Sequence, residues 1–150
     1  MSYRPKVDAP IGDLTISDVT GGKIEIGGTK ARWTMLFVYR GRHCPRCKRF
    51  LNKLNAALSD WSNVMDVVVV SSDTKEKALA DKDEHGWTFT LGYGMTEGQM
   101  RSLGLYVSDP LSDAETTGRF AEPGAFGIRP DGSLMLVDTV SYTHLTLPDE

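Results

Sequence analysis

Two strongly apolar stretches, each short enough to be a strand, are separated by one amphipathic segment. Residues 33–39 read WTMLFVY and residues 66–71 read DVVVVS, which is typical of strands buried on both faces. From Phe50 to Trp61 the apolar residues recur at spacings of one and three, which predicts a helix with one buried face. A strand, a helix and a strand in this order require parallel pairing, so the chain is restricted to α/β architectures.

Further short elements are predicted on both sides of this unit. Apolar and polar residues alternate at 13–28 around a Thr-Gly-Gly turn, which predicts a hairpin. A Pro-Asp-Gly turn between residues 125–128 and 134–137 predicts a second hairpin. Asp73, followed by Glu76, resembles the N-cap of another helix. The remaining predictions are a strand at 88–91, a short helix capped by Thr96 and Gln99 and ended by Gly104, and a polar loop at 105–122. The sequence therefore predicts one α/β domain with a mixed sheet flanked by helices.

Length and composition exclude several classes of protein. With 150 residues, 40% of them hydrophobic, the chain has the size and composition of one globular domain. Its longest aliphatic run is Val67–Val70, far below the roughly 20 apolar residues of a membrane span. Residues 1–12 contain no apolar signal region, so a cytoplasmic location is expected. The net charge of −3 argues against a nucleic-acid partner.

The last residues resemble a peptide of non-native origin. Residues 140–148 read VSYTHLTLP, which is similar to the translation of a sequencing-library adapter. The expected domain therefore spans 1–139, residues 140–150 are expected to be a non-native tail, and His144 is expected to carry no function.

The positive charge of the chain is concentrated around its two cysteines. Six cations and no acid lie between Arg40 and Lys53, whereas the rest of the chain has 11 cations against 20 acids, a net charge of −9. Both cysteines of the protein, Cys44 and Cys47, lie inside this segment. In a cytosolic chain such a pair is more often catalytic or metal-binding than a structural crosslink.

The spacing of the cysteines favours reversible redox chemistry. Pro45 suits the first position of a helix, so Cys44 and Cys47 lie on one face of its first turn, close enough for a disulfide. That disulfide would close a two-residue loop and add little stability. A helix N-terminus stabilises a thiolate instead, and Arg40, Arg42, His43 and Arg46 are the residues expected to tune the thiolate or face the substrate.

Other interpretations of the cysteine pair remain open. A Cys-x-x-Cys pair can be half of a zinc site, but zinc needs four ligands and the only histidines are His43, His85 and the suspect His144. A c-type haem site needs a histidine after Cys47, where Lys48 stands. No metal or cofactor is therefore expected, and a redox-inactive binding module is the competing class.

Two segments carry a family resemblance. Residues 37–47 read FVYRGRHCPRC and residues 120–132 read FAEPGAFGIRPDG; together they resemble the peroxiredoxin-like branch of the AhpC/TSA redoxin family over roughly residues 10–139. The resemblance implies a thioredoxin fold, with Cys44 attacking, Cys47 resolving and Pro123 as a cis-proline facing the dithiol. It also implies that a last helix of the fold is missing from this chain.

The sequence departs from typical peroxiredoxins in two respects. Those enzymes place a threonine or serine three residues before the attacking cysteine and a proline seven before, where this chain has Gly41 and Phe37. They also use an arginine near the position of Pro123, for which Arg40, Arg42 and Arg119 are the candidate replacements. The expected function is therefore disulfide exchange by the Cys-Pro-Arg-Cys dithiol, with a thiol donor such as thioredoxin or glutathione, and peroxide reduction is the alternative.

Overall fold

The described part of the chain forms nine strands and three helices. The computed structural model describes residues 5–110 and 118–139. The strands are β1 (Leu14–Asp18), β2 (Lys23–Ile26), β3 (Trp33–Val38), β4 (Met65–Val70), β5 (Thr90–Tyr93), β6 (Val107–Ser108), β7 (Phe120–Ala121), β8 (Gly124–Ile128) and β9 (Leu134–Asp138). The helices are α1 (Pro45–Trp61), α2 (Lys75–His85) and α3 (Glu97–Ser102). Within the described ranges, no helix has the length and apolar character needed to cross a bilayer.

Seven of the strands form one mixed sheet with β3 near its centre. The strand order is β2-β1-β5-β4-β3-β8-β9, and β6 pairs with β7 in a separate two-stranded sheet. Strand β3 is parallel to β4 and antiparallel to β8, and β4 is parallel to β5. The predicted pair of parallel central strands is confirmed, with α1 as the crossover between them. A mixed sheet flanked by helices in this topology is the thioredoxin-like α/β fold that was expected.

Alternating residues of β3 contribute to two separate cores. Leu36 and Val38 belong to the core that contains the β1–β2 hairpin and α3. Met35 and Phe37 point to the opposite face and pack in the core that contains α1. Because β3 is buried on both faces, its C-terminal end is held firmly, and the chain leaves it directly toward the cysteines.

Both predicted hairpins are present, and so is the short helix capped by Thr96 and Gln99, whereas other small elements differ from the expectations. The helix after β4 is capped by Thr74, whose side chain accepts a hydrogen bond from the Lys77 N–H, so the predicted cap at Asp73 was wrong by one residue. Strand β5 covers residues 90–93 rather than 88–91. The predicted loop contains β6 and β7 in its described part. The proposed tail at 140–150 lies outside the described residues, and the domain boundary at 139 stays a prediction.

The packing of α1 on the sheet gives a stability test. Leu54 is fully buried in the core beneath α1, so Leu54→Ala should lower the free energy of unfolding by about 2–5 kcal/mol through lost burial and a cavity. Ser59→Ala, at an exposed position of the same helix, should change it by less than about 0.5 kcal/mol. Urea unfolding of the reduced proteins measures both. Equal effects of the two substitutions would contradict the placement of α1.

Candidate active site

Helix α1 begins at the cysteine pair, as the sequence predicted. Cys44 is the N-cap residue, with the extended backbone conformation φ −106° and ψ 98°, and Pro45 follows at the start of the helix. Pro45 lacks an N–H, but the N–H at that position has no partner within a helix, so nothing is lost. The Cys44 N–H donates to the Gly41 carbonyl at 3.1 Å, which closes the loop between β3 and α1.

The sulfur of Cys44 is itself the helix cap. The Cys47 N–H donates to Cys44 Sγ at 3.2 Å, so the first turn of α1 is hydrogen-bonded to the Cys44 sulfur. Both residues are free thiols, and both are buried, with 5% of Cys44 and 1% of Cys47 exposed. The small exposed fraction of Cys44 is the one available to a substrate, because Cys47 is almost completely enclosed.

The pKa values of the two thiols are shifted in opposite directions. A hydrogen bond from the Cys47 side chain lowers the pKa of Cys44 from 9.0 to about 6, helped by the Cys47 N–H and the Arg40 guanidinium and opposed by burial. The same shared hydrogen bond, together with burial, raises the pKa of Cys47 far above its ordinary value. The two sulfurs therefore share one proton near neutral pH, with Cys44 as thiolate and Cys47 as thiol.

Arg40 is the arginine that acts on the sulfurs. Its guanidinium helps to lower the pKa of Cys44, and its backbone N–H opposes the rise in the pKa of Cys47. The guanidinium is also held by Glu122, since Nε and Nη2 both donate to Glu122 Oε1, at 2.8 and 2.5 Å. The other carboxylate oxygen of Glu122 accepts from Ser108 Oγ at 2.7 Å, which connects the site to β6. Sequence reasoning missed Glu122 and Ser108, because they are distant along the chain.

The other two candidate arginines are turned away from the sulfurs. Arg42 binds Asp81 and Glu84 of α2 through Nη1. The guanidinium of Arg119 binds Glu97 and Asp109. Only Arg40, of the three, is brought to the dithiol.

Gly41 has no room for a side chain. Its φ of +130° lies in the region that residues other than glycine rarely adopt. A Cβ atom there would lie 2.6 Å from Asp73 Oδ1, well inside van der Waals contact. The loop therefore has no room for the hydroxyl-bearing side chain that typical peroxiredoxins have at this position.

Asp73 and Asp81 are buried beneath the loop. Asp73 is 6% exposed, and its Oδ2 accepts from the Arg42 N–H at 2.8 Å, while Asp81 is completely buried and binds the Arg42 side chain. Burial raises the pKa of both carboxyl groups. Asp73 was expected to cap α2; it instead supports the backbone of the loop before the cysteines. An aspartate at this position indicated that a backbone N–H would be bound. The N–H that Asp73 binds belongs to Arg42, 31 residues away, and only the tertiary structure brings the two together.

The remaining predicted residues differ in exposure. Pro45 and Arg46 are exposed between the cysteines, and the His43 ring packs edge-on against Phe120, with ring centroids 4.6 Å apart.

Pro123 is buried immediately before β8, at the level where β3 ends. Its predicted cis bond was wrong, because no peptide bond of the described residues is cis. The trans form is the lower-energy isomer of an X–Pro bond, and the Glu122 N–H is bound to the Tyr106 carbonyl as the chain approaches β8.

One cluster of metal-type ligands occurs in the described ranges, and it does not include the cysteines. Asp81, Glu84 and His85 place their ligand atoms within 4.8 Å of one another. The guanidinium of Arg42 already binds both carboxylates, so this cluster is neutralised by an ion pair.

Comparison with known proteins identifies the family. The model of the AhpC/TSA family matches residues 7–137, so the chain belongs to that family. Its class is that of the thiol-dependent oxidoreductases. No curated protein sequence matched the chain.

Solved structures have the same fold at low sequence identity. A peroxiredoxin-like protein from Aquifex aeolicus superimposes with a TM-score of 0.80 at 17% identity, covering 95% of this chain and 81% of that one. Peroxidoxin BcpB from Mycobacterium tuberculosis gives 0.75 at 15% identity, covering 91% and 86%. A proposed protein disulfide isomerase from Bacteroides thetaiotaomicron gives 0.65 at 15% identity, covering 93% and 82%. At these identities the likeness shows the fold.

The thiol acidities predict a pH dependence. Alkylation of Cys44 by iodoacetamide should increase through a transition near pH 6, and Cys47→Ala should move this transition upward by removing the thiol that donates to Cys44. Arg40→Gln should also move it upward, by a smaller amount. The alkylation rate against pH, followed by mass spectrometry, measures all three proteins. A wild-type transition near pH 9 would contradict the assignment.

The same shift connects stability to pH. Because the folded pKa of Cys44 lies below its unfolded value of 9.0, the reduced protein gains stability relative to Cys44→Ser as pH rises from about 6 to 9 and loses it as pH falls through 6. Urea unfolding in reducing buffer across this range checks the sign.

Gly41 gives a test of the loop geometry. Gly41→Thr should not create a peroxide-binding site, because the new side chain meets the Asp73 carboxylate; it should cost about 1–3 kcal/mol of stability or more. In an Asp73→Ala background the same substitution should cost less, since the steric conflict is removed and only the backbone strain remains. Additive effects in this double-mutant cycle would contradict the contact.

Proposed function

We propose that the chain is a thiol–disulfide oxidoreductase in which Cys44 is the nucleophile and Cys47 the resolving thiol. The proposal is supported mainly by the unequal acidities of the two thiols, which prepare one thiolate and one proton donor in a single helical turn. A thiolate is the reactive form of cysteine, and its pKa near the ambient pH favours both ionisation and nucleophilicity.

The reaction is written in two exchanges. The Cys44 thiolate attacks one sulfur of a substrate disulfide, forming a mixed disulfide and releasing the first substrate thiolate, which takes a proton from solvent. Cys47 then loses its proton and attacks Cys44 Sγ, forming the Cys44–Cys47 disulfide. The second substrate thiolate leaves with the proton that Cys47 gave up. Two electrons have passed from the dithiol to the substrate.

Each residue of the site has a proposed role in these exchanges. The Cys47 N–H and the Arg40 guanidinium stabilise the Cys44 thiolate before attack and again when it leaves the mixed disulfide. Glu122 positions Arg40. Asp73 holds the loop by accepting the Arg42 N–H. Pro45 and Arg46 form the exposed turn between the cysteines.

The cycle requires a thiol donor. An external dithiol or glutathione would reduce the Cys44–Cys47 disulfide by the reverse exchanges, and thioredoxin and glutathione are the donor classes we propose. The proposal includes a cytoplasmic location, where these pools keep thiols reduced.

Peroxide reduction is the second candidate, and one observation favours it. The Arg40 guanidinium adjoins the Cys44 sulfur, where it is able to donate to a peroxide oxygen. In this reaction the Cys44 thiolate attacks one peroxide oxygen and the O–O bond breaks, which leaves Cys44 as a sulfenic acid. The departing alkoxide or hydroxide takes a proton from solvent and leaves as alcohol or water. Cys47 then displaces hydroxide from the sulfenic acid, and water forms. Gly41 supplies no hydroxyl donor to the peroxide, so we rank this reaction second.

A redox titration and paired assays test the proposal. Equilibration in glutathione buffers should give a Cys44–Cys47 disulfide with a reduction potential between about −270 and −120 mV. Insulin reduction should be lost in both Cys44→Ser and Cys47→Ser, whereas peroxide should oxidise the reduced wild type only slowly. Because the chain has only two cysteines, each variant retains a single thiol and the double variant is the blank.

Two other results would change the assignment. Fast peroxide consumption that survives Cys47→Ser for one turnover, but not Cys44→Ser, would make the protein a peroxidase. Absence of the disulfide across the whole range would favour a redox-inactive binding module.

A further inference from the structure

Helix α1 carries a stripe of cations without acidic partners. Arg46, Arg49 and Lys53 are spaced three and four residues apart, so they lie on one face of the helix, and all three are exposed. Among the described residues, none of the three has a carboxylate within ion-pair distance. Lys48 in the same helix, by contrast, approaches Asp81 to 3.9 Å. We call Arg46, Arg49 and Lys53 the α1 stripe.

The α1 stripe does not serve the stability of its helix. Cations near a helix N-terminus oppose the macrodipole, which favours acids there. Helices α2 and α3 follow that rule, with Glu76 and Glu97 in their first turns. Helix α1 has no acid in its first turn, and no acid occurs from residue 40 to 59. Arg46, in the first turn, therefore opposes the local electrostatic preference, and no acid in the first half of the helix offsets Arg49 and Lys53.

The position of the stripe relates it to the dithiol. Arg46 lies between the two cysteines, and Lys53 lies about 10 Å further along the axis at 1.5 Å per residue. An extended peptide rises about 3.3 Å per residue, so the stripe matches roughly three residues next to a substrate cysteine. The chain outside residues 40–53 has a net charge of −9, which disfavours approach of an acidic partner to other parts of the protein and orients it toward α1.

We infer that the α1 stripe binds an acidic, extended polypeptide segment that flanks the reacting cysteine of a protein disulfide substrate. This inference rests on the proposed function and specifies the substrate class. The carboxylates of the segment pair with Arg49 and Lys53 while its disulfide reaches Cys44. The stripe accelerates encounter with acidic segments and leaves the exchange chemistry unchanged.

Peptidyl pyridyl disulfides test the inference. Each peptide has one cysteine joined to 2-thiopyridine and either three aspartates or three asparagines on each side, and stopped-flow absorbance follows release of pyridine-2-thione. With the reduced full chain at low salt, the acidic peptide should react about tenfold faster than the neutral one. The ratio should approach one in 1 M salt, where the Debye length is about 3 Å.

Matched charge variants locate the effect. Arg49→Gln/Lys53→Gln should remove most of the acidic preference, whereas Lys23→Gln/Lys75→Gln, which removes two exposed cations elsewhere, should retain it. The neutral peptide should react equally with all three proteins, since neither pair of substitutions touches the thiols. If both double variants lost the preference for the acidic peptide equally, the effect would depend on net charge alone and the inference would be overturned.

Three further results separate the inference from the function on which it rests. Equal rates for acidic and neutral peptides with the wild type would overturn the inference while leaving disulfide exchange intact. The pyridyl disulfide of glutathione has only one residue after its cysteine. If Arg49→Gln/Lys53→Gln slowed the reaction with this short probe as much as the reaction with the acidic peptide, the assignment of an extended segment would be overturned. No reaction with any probe would instead overturn the proposed function.

Discussion

The hydrogen bond from the Cys47 N–H to Cys44 Sγ is the interaction on which the site depends. It satisfies a backbone donor that the first turn of α1 would otherwise leave without a partner, and it also stabilises negative charge on the sulfur. Helix formation and thiolate formation are therefore favoured by the same contact. The firm end of β3 and the burial of α1 keep that turn in place.

Burial alone would make both thiols weaker acids, so the asymmetry of the pair needs specific partners. The hydrogen bond shared by the two sulfurs and the Arg40 guanidinium lower the pKa of Cys44, while the enclosed Cys47 retains the proton. Glu122 holds Arg40, and Ser108 in turn holds Glu122. The reactivity of Cys44 is thus a property of three chain segments.

The loop before the cysteines explains how this chain differs from typical peroxiredoxins. Gly41 adopts a positive φ and lies against the buried Asp73 carboxylate, which leaves no space for a hydroxyl-bearing side chain. The same carboxylate accepts the Arg42 N–H, so the feature that excludes the hydroxyl also stabilises the loop. Family membership is consistent with this geometry, and the substrate preference that follows from it remains our proposal.

The sequence by itself determined the features that depend on neighbouring residues. The apolar runs and helical spacing predicted the parallel unit of β3, α1 and β4, and the cysteines around Pro45 predicted that a helix begins at the dithiol. Only the tertiary structure decided the partners: Glu122 for Arg40, 82 residues away, Asp73 for the loop at Gly41, and a trans Pro123. Local hydrogen bonds and periodicity are encoded within a few residues, whereas these contacts form only where the sheet brings distant segments together.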